Sequence, residues 1–371
     1  MKIAVVGHIR HPIAEPFMGG MESHCHQLVA SLTTRGHEVT LFAAAGSDLP
    51  QVYPICAQPY EQVLPWKVWR GTERLGAYQR SAFRLAWDAI TAGDFDVVHN
   101  NSLFAPLIAW ATADGIPMVT SQHVPPFGAM RDTVSRQAQC GWQRFTVTSR
   151  HQLNLWKDCD LSRFCVVHNG IDTARWPVAV QRHERLVWFG RITQNKGLRE
   201  AVQAAKQSGA RLDIIGTIED EPYFSDTVAP LLGERIRYLG HKSGTNLRRC
   251  IAQAAAAVVT PLWDEPFGLV AAEAMSCGVP VIAFDRGAMR EVIGPCGILV
   301  PGGDIAALAA AMANVSKLSG ATARQRIVQH FSVDQMLDGY ERCYEEAIAG
   351  SRGTSPRSRA SSQSSTVAEL A

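Results

Sequence analysis

The chain has 371 residues, of which 46% are hydrophobic and 19% are charged. This composition excludes a wholly disordered protein, and the length exceeds what one hydrophobic core usually supports, so two domains are expected. The formal net charge of +2 excludes a chain-wide field that would make nucleic acid or an anionic surface the main partner.

The cysteines and the N-terminus indicate the cellular compartment in which the protein is expected. The nine cysteines are scattered without a C-x-x-C pair, which favours reduced thiols in a cytoplasmic protein over disulfides or a zinc site. The first apolar run, Ile3–Gly7, is too short for a signal peptide, and no run in the sequence has the length of a membrane span. We therefore expect a cytoplasmic protein, and peripheral contact with the inner membrane stays open.

Apolar runs typical of β-strands alternate with helical patterns along most of the chain. In the first half the strand-like runs are Ile3–Gly7, Glu38–Phe42, Val97–His99, Met118–Ser121 and Cys165–His168. In the second half they are Leu186–Phe189, Leu212–Ile215, Ile236–Leu239, Ala257–Thr260, Val281–Phe284 and Ile298–Val300. Alternation of this kind predicts βαβ units, and hence an α/β chain with two doubly wound parallel sheets in tandem.

Composition also divides the chain. The polar stretch that follows Asp172 and is interrupted by Pro177 predicts a hinge near residue 180. Apolar residues three and four apart predict a helix over 334–349, and the Ser- and Arg-rich end cannot bury enough surface to become ordered. The expected units are an N-terminal domain (1–175), a C-terminal domain (180–330), a helix packing back toward the N-terminal domain (331–349) and a disordered tail (350–371).

The most specific motif is DEPFGLVAAEAM, which begins at Asp264. A strand is predicted to end before it, and a helix opens around Gly268, where the missing side chain lets an anion approach the free first-turn amides. Glu265 lies on the loop, and Glu273 lies one turn inside the helix, where a carboxylate can accept both hydroxyls of a ribose diol. From the residues alone, a solvated loop acid and a helix-dipole partner explain these two glutamates equally well.

A second cluster, FGRITQNKG, follows the predicted strand Leu186–Phe189. Its two cations, Arg191 and Lys196, lie on the loop and at the entrance of the next helix. Cations at a helix N-terminus oppose the helix dipole, so stability alone does not explain them, whereas a bound anion between them would. The alternative is that both are solvated surface charges.

Three features of the first half also bear on which ligand the protein binds. Gly19 and Gly20 precede a predicted helix, and such a glycine pair suits a diphosphate or a closely packed sugar. His123 follows a predicted strand at its carboxyl end, where doubly wound sheets hold ligands. The first strand is not followed by a G-x-G-x-x-G fingerprint, so nicotinamide chemistry is disfavoured.

Together with VVHNGID and RGHEVT, these motifs resemble the family-four retaining glycosyltransferases (glycosyl transferases group 1) over residues 1–349. The resemblance implies the GT-B fold, in which two Rossmann-like doubly wound parallel-sheet domains, acceptor-side first and nucleotide-sugar-binding second, face each other across a cleft. It also implies that a hexosyl group moves from a nucleotide diphosphate sugar to a hydroxyl acceptor, with retention and without a metal or other cofactor. UDP- and GDP-sugars are the favoured donors, and the acceptor and oligomeric state are left open.

The resemblance assigns roles residue by residue. The catalytic residues it implies are His123, Arg191, Lys196 and Glu265. The donor-binding residues it implies are Gly19, Gly20, Arg191, Lys196, Phe267, Gly268, Leu269 and Glu273. The acceptor is expected near His8, Arg10 and His11, in the loop after the first strand. The family usually has Gly after the histidine of the first domain, whereas Val124 follows His123 here.

Two other functions stay open. A nucleotide-sugar epimerase of the same fold would convert the donor without an acceptor, and a non-catalytic nucleotide-sugar-binding protein would only hold it. The four charged residues Arg191, Lys196, Glu265 and Glu273 argue against the non-catalytic alternative, because a degenerate site tends to lose such groups.

Three further patterns are interpreted as structural. The D-x-D word of Asp94 and Asp96 precedes a strand and so lies at the sheet edge opposite the expected cleft. His24 and His26 are two apart on a helix and point to different faces, which disfavours a metal site. The Trp- and Arg-rich stretch 66–87 is interpreted as an amphipathic helix. The alternative is a surface that binds a membrane or an aromatic acceptor. Its predicted apolar face consists of Leu75, Tyr78, Ala82, Leu85 and Ala89.

Overall fold

The structure, a computed structural model, describes residues 1–352 except residue 138. It contains a seven-stranded and a six-stranded parallel sheet, in the orders β3-β2-β1-β4-β5-β6-β7 and β10-β9-β8-β11-β12-β13. The strands of the first sheet lie within 2–166 and those of the second within 186–300, and residue 180 falls between them. The expectation of a disordered tail falls, from residue 353 onward, outside the described residues.

The strands are short and mostly buried, as expected where helices cover both faces of a parallel sheet. The first sheet comprises β1 (Lys2–Gly7), β2 (Glu38–Ala44), β3 (Val52–Cys56), β4 (Val97–Asn101), β5 (Met118–Gln122), β6 (Gln143–Val147) and β7 (Phe164–Val166). The second comprises β8 (Leu186–Phe189), β9 (Leu212–Ile215), β10 (Ile236–Tyr238), β11 (Ala257–Val259), β12 (Val281–Phe284) and β13 (Gly297–Val300).

Helices connect the strands. Those of the first half are α1 (Gly20–Thr34), α2 (Tyr60–Val63), α3 (Trp66–Trp69), α4 (Glu73–Ala92), α5 (Pro106–Asp114), α6 (Gly128–Gln137) and α7 (Arg150–Asn154). Those that follow are α8 (Leu198–Ser208), α9 (Glu221–Tyr223), α10 (Gly244–Ala252), α11 (Leu269–Ser276), α12 (Met289–Ile293), α13 (Ile305–Met312), α14 (Gly320–His330) and α15 (Val333–Arg352). The two sheets and their covering helices form the GT-B fold.

The last helix returns to the first sheet. Helix α15 packs across β4 to β7 and against α1, and it inserts Met336, Leu337 and Tyr340 into the core that contains Val5 and Val119. This face of the first sheet is therefore covered by residues from both ends of the chain.

Two strands and one helix face were not predicted correctly. Strands β3 and β6 are absent from the predicted set, because the first is half exposed and the second alternates polar with apolar residues. On α4, Leu85 is 46% exposed, whereas Trp87 is buried and donates its indole N–H to Asp114 at 2.7 Å. The predicted apolar face is thus wrong at Leu85.

Within the described part of the chain, no helix combines the length and the apolar character that crossing a bilayer requires.

Candidate functional site

Two loops of the second half converge at one crevice. Strands β8 and β11 are neighbours in the sheet. The chain passes from β8 to β9 on one side and from β11 to β12 on the other, so the connections leave the carboxyl ends of β8 and β11 in opposite directions. Open parallel sheets hold ligands at such points. The loop after β8 carries Arg191 and Lys196, and the loop after β11 carries Glu265. The fold thereby brings these three predicted residues to the same edge of the sheet.

Lys196 and Glu265 form the best-ordered pair at this edge. The Lys196 ammonium donates to both carboxylate oxygens of Glu265, at 2.8 and 3.0 Å, and both side chains are less than 20% exposed. The Trp263 indole N–H donates to Glu265 Oε2 at 2.7 Å, and its ring lies 5.3 Å from the ammonium. Three hydrogen bonds therefore fix the Glu265 carboxylate, and Trp263 is a site residue that the sequence reasoning missed.

Arg191 has a different partner. Its guanidinium donates to Glu219 at 3.0 Å, with the two side chains 46% and 34% exposed. The Lys67 ammonium, from the first half, donates to the backbone carbonyl of Glu219 at 2.6 Å. A partly exposed ion pair of this kind contributes about 0–1 kcal/mol, so an incoming anion can replace Glu219 at small cost.

Two glycines shape the crevice. Gly197 has a φ of +66°, and a β-carbon there would collide with the carbonyl oxygen of Thr260. Gly268 caps the start of α11 with a φ of +91°, and a β-carbon there would collide with Met289. Both positions are left-handed and closely packed, so glycine is required for the loops to lie against each other.

A cavity of about 520 Å³ lies between the two halves beside this edge. Gly19 and Gly20 line it from the first half, and Leu269 and Glu273 line it from the second. A β-carbon on Gly20 would lie 2.8 Å from the Leu269 side chain, so the glycine allows the close approach. Four of the predicted donor-binding residues thus share this cavity, whereas Arg191, Lys196 and Glu265 lie outside its lining.

Phe267, predicted to bind the donor, lies in the core. Its side chain is 2% exposed and packs in the core against His168 and Phe331. Only its backbone is therefore available to a donor. The neighbouring carbonyl of Pro266 accepts a hydrogen bond from Thr148 of the first half, at 3.0 Å, so the motif loop is also tied across the cleft.

Burial changes the charge of Glu273. Desolvation raises the pKa of its carboxyl from 4.5 to about 8, against the lowering effect of the Arg248 charge. The carboxyl is therefore mainly protonated at neutral pH in the unliganded protein. Arg248 also lines the cavity.

Glu273→Gln is expected to stabilise the protein progressively as pH rises. The folded carboxyl keeps its proton while the unfolded one loses it, so the wild type loses stability as pH rises from 4.5 to about 8. Glutamine carries no such proton, so the Tm difference between variant and wild type should widen across this window. Thermal unfolding measured over that pH range checks it, with the exposed Glu234→Gln as control. A difference independent of pH would contradict the assignment.

In the first half, His123 lies after β5 as predicted from the sequence. Its ring packs 4.4 Å from that of His24, and its buried Nε2 atom has no hydrogen-bond partner among the described residues. Burial lowers the pKa of His123 to about 4, so the imidazole is neutral at physiological pH. It can therefore act through hydrogen bonds and not through charge.

The acceptor-side residues form a separate, well-packed loop after β1. His8 shares a hydrogen bond with the Tyr60 hydroxyl at 3.3 Å, and Arg10 donates to Glu61 at 2.8 Å. Burial lowers the pKa of His8 to about 4 and also lowers the pKa of His11. Glu219, across the cleft, lies near enough to act on Arg10 and His11 electrostatically. None of these three predicted residues lines the 520 Å³ cavity.

The patterns interpreted as structural have structural partners. Asp96 accepts from the backbone N–H of Lys2 at 2.7 Å, and Asp94 pairs with its ammonium at 3.2 Å, at the amino edge of the sheet. His24 is buried, whereas His26 packs against Phe17. Among the described side chains, His, Cys, Asp and Glu form no group of three that could hold a metal ion.

Comparison with known proteins agrees with this arrangement. The profile of the family described as Glycosyl transferases group 1 matches residues 183–317, and that of Glycosyltransferase Family 4 matches residues 18–175. Glycogen synthase of Mycobacterium tuberculosis is 27% identical, with 96% of this chain and 97% of that protein aligned. The D-inositol 3-phosphate glycosyltransferase of Mycobacteroides abscessus is 28% identical, over 95% of this chain and 90% of that protein.

A solved structure shares the fold. Anabaena Alr3699/HepE, crystallised with UDP and glucose, superposes with a TM-score of 0.71 at 18% identity, covering 93% of this chain and 99% of that one. The two Rossmann-like domains on either side of a cleft are the GT-B fold. The chain belongs to glycosyltransferase family four, the glycosyl transferases group 1, and is an enzyme of that class.

Proposed function

We propose that the enzyme transfers a hexosyl group from a nucleotide diphosphate sugar to a hydroxyl acceptor with retention of anomeric configuration. The observation that carries this proposal is the Lys196–Glu265 pair, held at the carboxyl edge of the second sheet next to the Arg191 loop. It provides cations for a diphosphate and a fixed carboxylate for the reacting sugar at one crevice. UDP- and GDP-sugars are the donors we favour, and HepE, crystallised with UDP, is a structural neighbour.

The proposed chemistry is front-face substitution. The bond from the anomeric carbon to the diphosphate oxygen breaks, the acceptor oxygen bonds to the carbon from the same side, and the acceptor proton passes to the departing diphosphate oxygen. The developing negative charge on the leaving group requires positive groups that are already in place. Two hydrogens of the Lys196 ammonium bond to Glu265, and the third is available to a phosphate oxygen. Arg191 would exchange Glu219 for the other phosphate.

The donor's nucleoside fits the cavity between the halves. In this proposal Glu273 binds the ribose hydroxyls, and the backbone of Gly19 and Gly20 approaches the diphosphate or the sugar. Ribose hydroxyls donate to a carboxylate, so donor binding would lower the raised pKa of Glu273 and release its proton. His123 would contact the donor sugar, and the acceptor would enter beside His8, Arg10 and His11.

The experiment that tests the proposal is a panel of UDP-, GDP-, ADP- and dTDP-sugars, incubated with the pure protein with and without acceptors. A ligand that binds only the native state raises the apparent Tm, so thermal shift identifies the donor first. Product that forms only with an acceptor, with its anomeric configuration retained, is the expected result. Conversion of the donor alone would instead indicate an epimerase, and donor binding without turnover a non-catalytic protein.

Activity is expected to survive chelation. Lys196 and Arg191 supply the positive charge that a metal ion supplies in other transferases, so EDTA should leave kcat unchanged. Initial rates with excess EDTA, and again after adding manganese, check this. Loss of turnover in EDTA that manganese restores would contradict the metal-independent mechanism.

A further inference from the structure

A buried chain of hydrogen bonds runs from α15 to the cleft. The Tyr344 hydroxyl lies 2.6 Å from His99 Nδ1, and His99 Nε2 lies 2.8 Å from Ser121 Oγ. Ser121 Oγ lies 3.3 Å from the Tyr340 hydroxyl, which lies 3.3 Å from His24 Nε2. All five side chains are at least 94% buried. The chain thus ends on a histidine of α1 that lines the cavity between the halves.

Burial fixes the protonation of this chain. Desolvation lowers the pKa of His99 to about 3 and the pKa of His24 well below its usual value. The same effect raises the pKa of both tyrosines, so the phenols keep their protons. At neutral pH the chain therefore contains two neutral imidazoles, two phenol O–H groups and the Ser121 hydroxyl.

The direction of each hydrogen bond follows from counting donors. Within the described residues, the Tyr344 hydroxyl has His99 as its hydrogen-bond partner, so its proton goes to His99 Nδ1. A neutral imidazole that accepts at Nδ1 has its proton on Nε2, and His99 therefore donates to Ser121. Ser121 also contacts Thr146 at 2.9 Å, and its second lone pair can accept from that hydroxyl.

The hydrogen-bond directions can be followed in the same way from Ser121 to His24 at the cleft. Ser121 donates its own proton to the Tyr340 oxygen, to which the Thr146 hydroxyl is also hydrogen-bonded. Tyr340 then donates to His24 Nε2, which leaves the His24 proton on Nδ1. In this arrangement each hydrogen bond of the chain has one donor and one acceptor, and the Nδ1–H of His24 remains for a ligand.

We infer that His24 is a substrate-binding residue of the cleft, which presents its Nδ1–H to a sugar oxygen. Tyr340 is the positioning residue that selects this tautomer. His24 is suited to the task because it shares the cavity with Gly19, Gly20 and Glu273, and because its ring packs 4.4 Å from His123. A neutral N–H is a donor that a carbohydrate oxygen accepts without the desolvation cost of a cation. The inference deepens the proposed function and rests on it for the identity of the ligand.

The tautomer can be measured without activity. In full-length protein labelled with ¹⁵N-histidine, long-range proton–nitrogen correlation spectra distinguish Nδ1–H from Nε2–H, and loss of signals in His24→Asn assigns the residue. We expect Nδ1–H in the wild type and a shift toward Nε2–H in Tyr340→Phe, where the donor to Nε2 is gone. An Nε2–H tautomer in the wild type would overturn the inference.

Two matched variants test the binding role. An asparagine amide can occupy the place of Nδ1 and a glutamine amide that of Nε2, so His24→Asn keeps the proposed donor and His24→Gln loses it. We expect His24→Gln and Tyr340→Phe each to lower kcat/KM by about tenfold, the loss of roughly one hydrogen bond to the substrate, with His24→Asn near wild type. Tyr53→Phe, on the outer strand β3, is the control for removing a tyrosine hydroxyl.

The outcomes separate the two proposals. Thermal unfolding verifies that each variant folds, and equilibrium donor affinity is measured beside kcat/KM. If His24→Gln equals wild type, or His24→Asn is the weaker of the two, then His24 is not the proposed donor. If the wild type transfers no sugar, the proposed function fails, whereas the tautomer spectra and the donor affinities still decide the role of His24 and Tyr340.

Discussion

Lys196→Ala is expected to lower kcat by about 10²–10³-fold, the loss typical of removing one group that stabilises transition-state charge. The Lys196 ammonium lies at the crevice where the proposed diphosphate departs, and its contact strengthens as negative charge develops. Arg191→Ala is expected to act in the same direction, with a smaller effect because its side chain is 46% exposed to competing water. Steady-state kinetics with the donor varied measures both.

The Lys196 result needs a control, because the variant also leaves the largely buried Glu265 carboxylate without its cation. The double variant Lys196→Ala/Glu265→Gln removes that unpaired charge, and its kcat should stay low if the ammonium acts on the leaving group. Lys206→Ala, an exposed cation on α8, should behave as wild type. Near wild-type rates for both Arg191→Ala and Lys196→Ala would remove the proposed diphosphate site.

Glu265→Gln is expected to lower kcat by about 10²-fold, the cost of misplacing a reacting group. The carboxylate accepts three hydrogen bonds, two from Lys196 and one from Trp263, so it is held before the substrate arrives. Glutamine presents one oxygen where the carboxylate presents two, and it cannot interact with positive character at the anomeric carbon. Donor affinity should change much less than kcat.

Glu273→Gln should show the opposite kinetic pattern. Its proposed contact, with the ribose, is the same in the ground state and in the transition state, so mainly the donor KM should rise. Steady-state kinetics on both glutamate variants, with calorimetry of nucleoside diphosphate binding, distinguishes the two roles. Reversed patterns, or two silent variants, would show that the carboxylates are wrongly assigned although the fold is right.

The sequence predicts the second sheet better than the first, for a physical reason. Strands β8, β9 and β12 lie at their predicted bounds, because each is a short apolar run buried on both faces. Strand β3 is an edge strand with two exposed residues, and β6 contains buried Gln143 and Thr146. The hydrophobic pattern of such strands gives little indication that they are strands.

Some residues of the candidate site can be identified from the sequence, and others only from the structure. Arg191, Lys196, Glu265 and Glu273 lie in local motifs, so the sequence indicates them directly. Glu219, Trp263 and Arg248 become visible only through contacts made in the folded protein. Local spacing contains no information on the contacts of Glu219 with Arg191 and of the Trp263 ring with Lys196, which join residues far apart in the chain.

The sequence pattern around His24 indicates a structural residue. Its connection to Tyr340 spans 316 positions in the chain, so no local pattern could have indicated it. Such a pairing depends on where α15 crosses the first sheet, which is a property of the whole fold.

The return of α15 to the first sheet has a consequence for biosynthesis. The half that leaves the ribosome first needs Met336, Leu337 and Tyr344 from near the end of the chain to complete its core. Until those residues emerge, the face formed by Val5, Val119 and their neighbours lacks its cover and is available to chaperones. The second half, whose strands are contiguous in sequence, can finish first. We expect a chain that stops before residue 333 to leave this face of the first half without its cover.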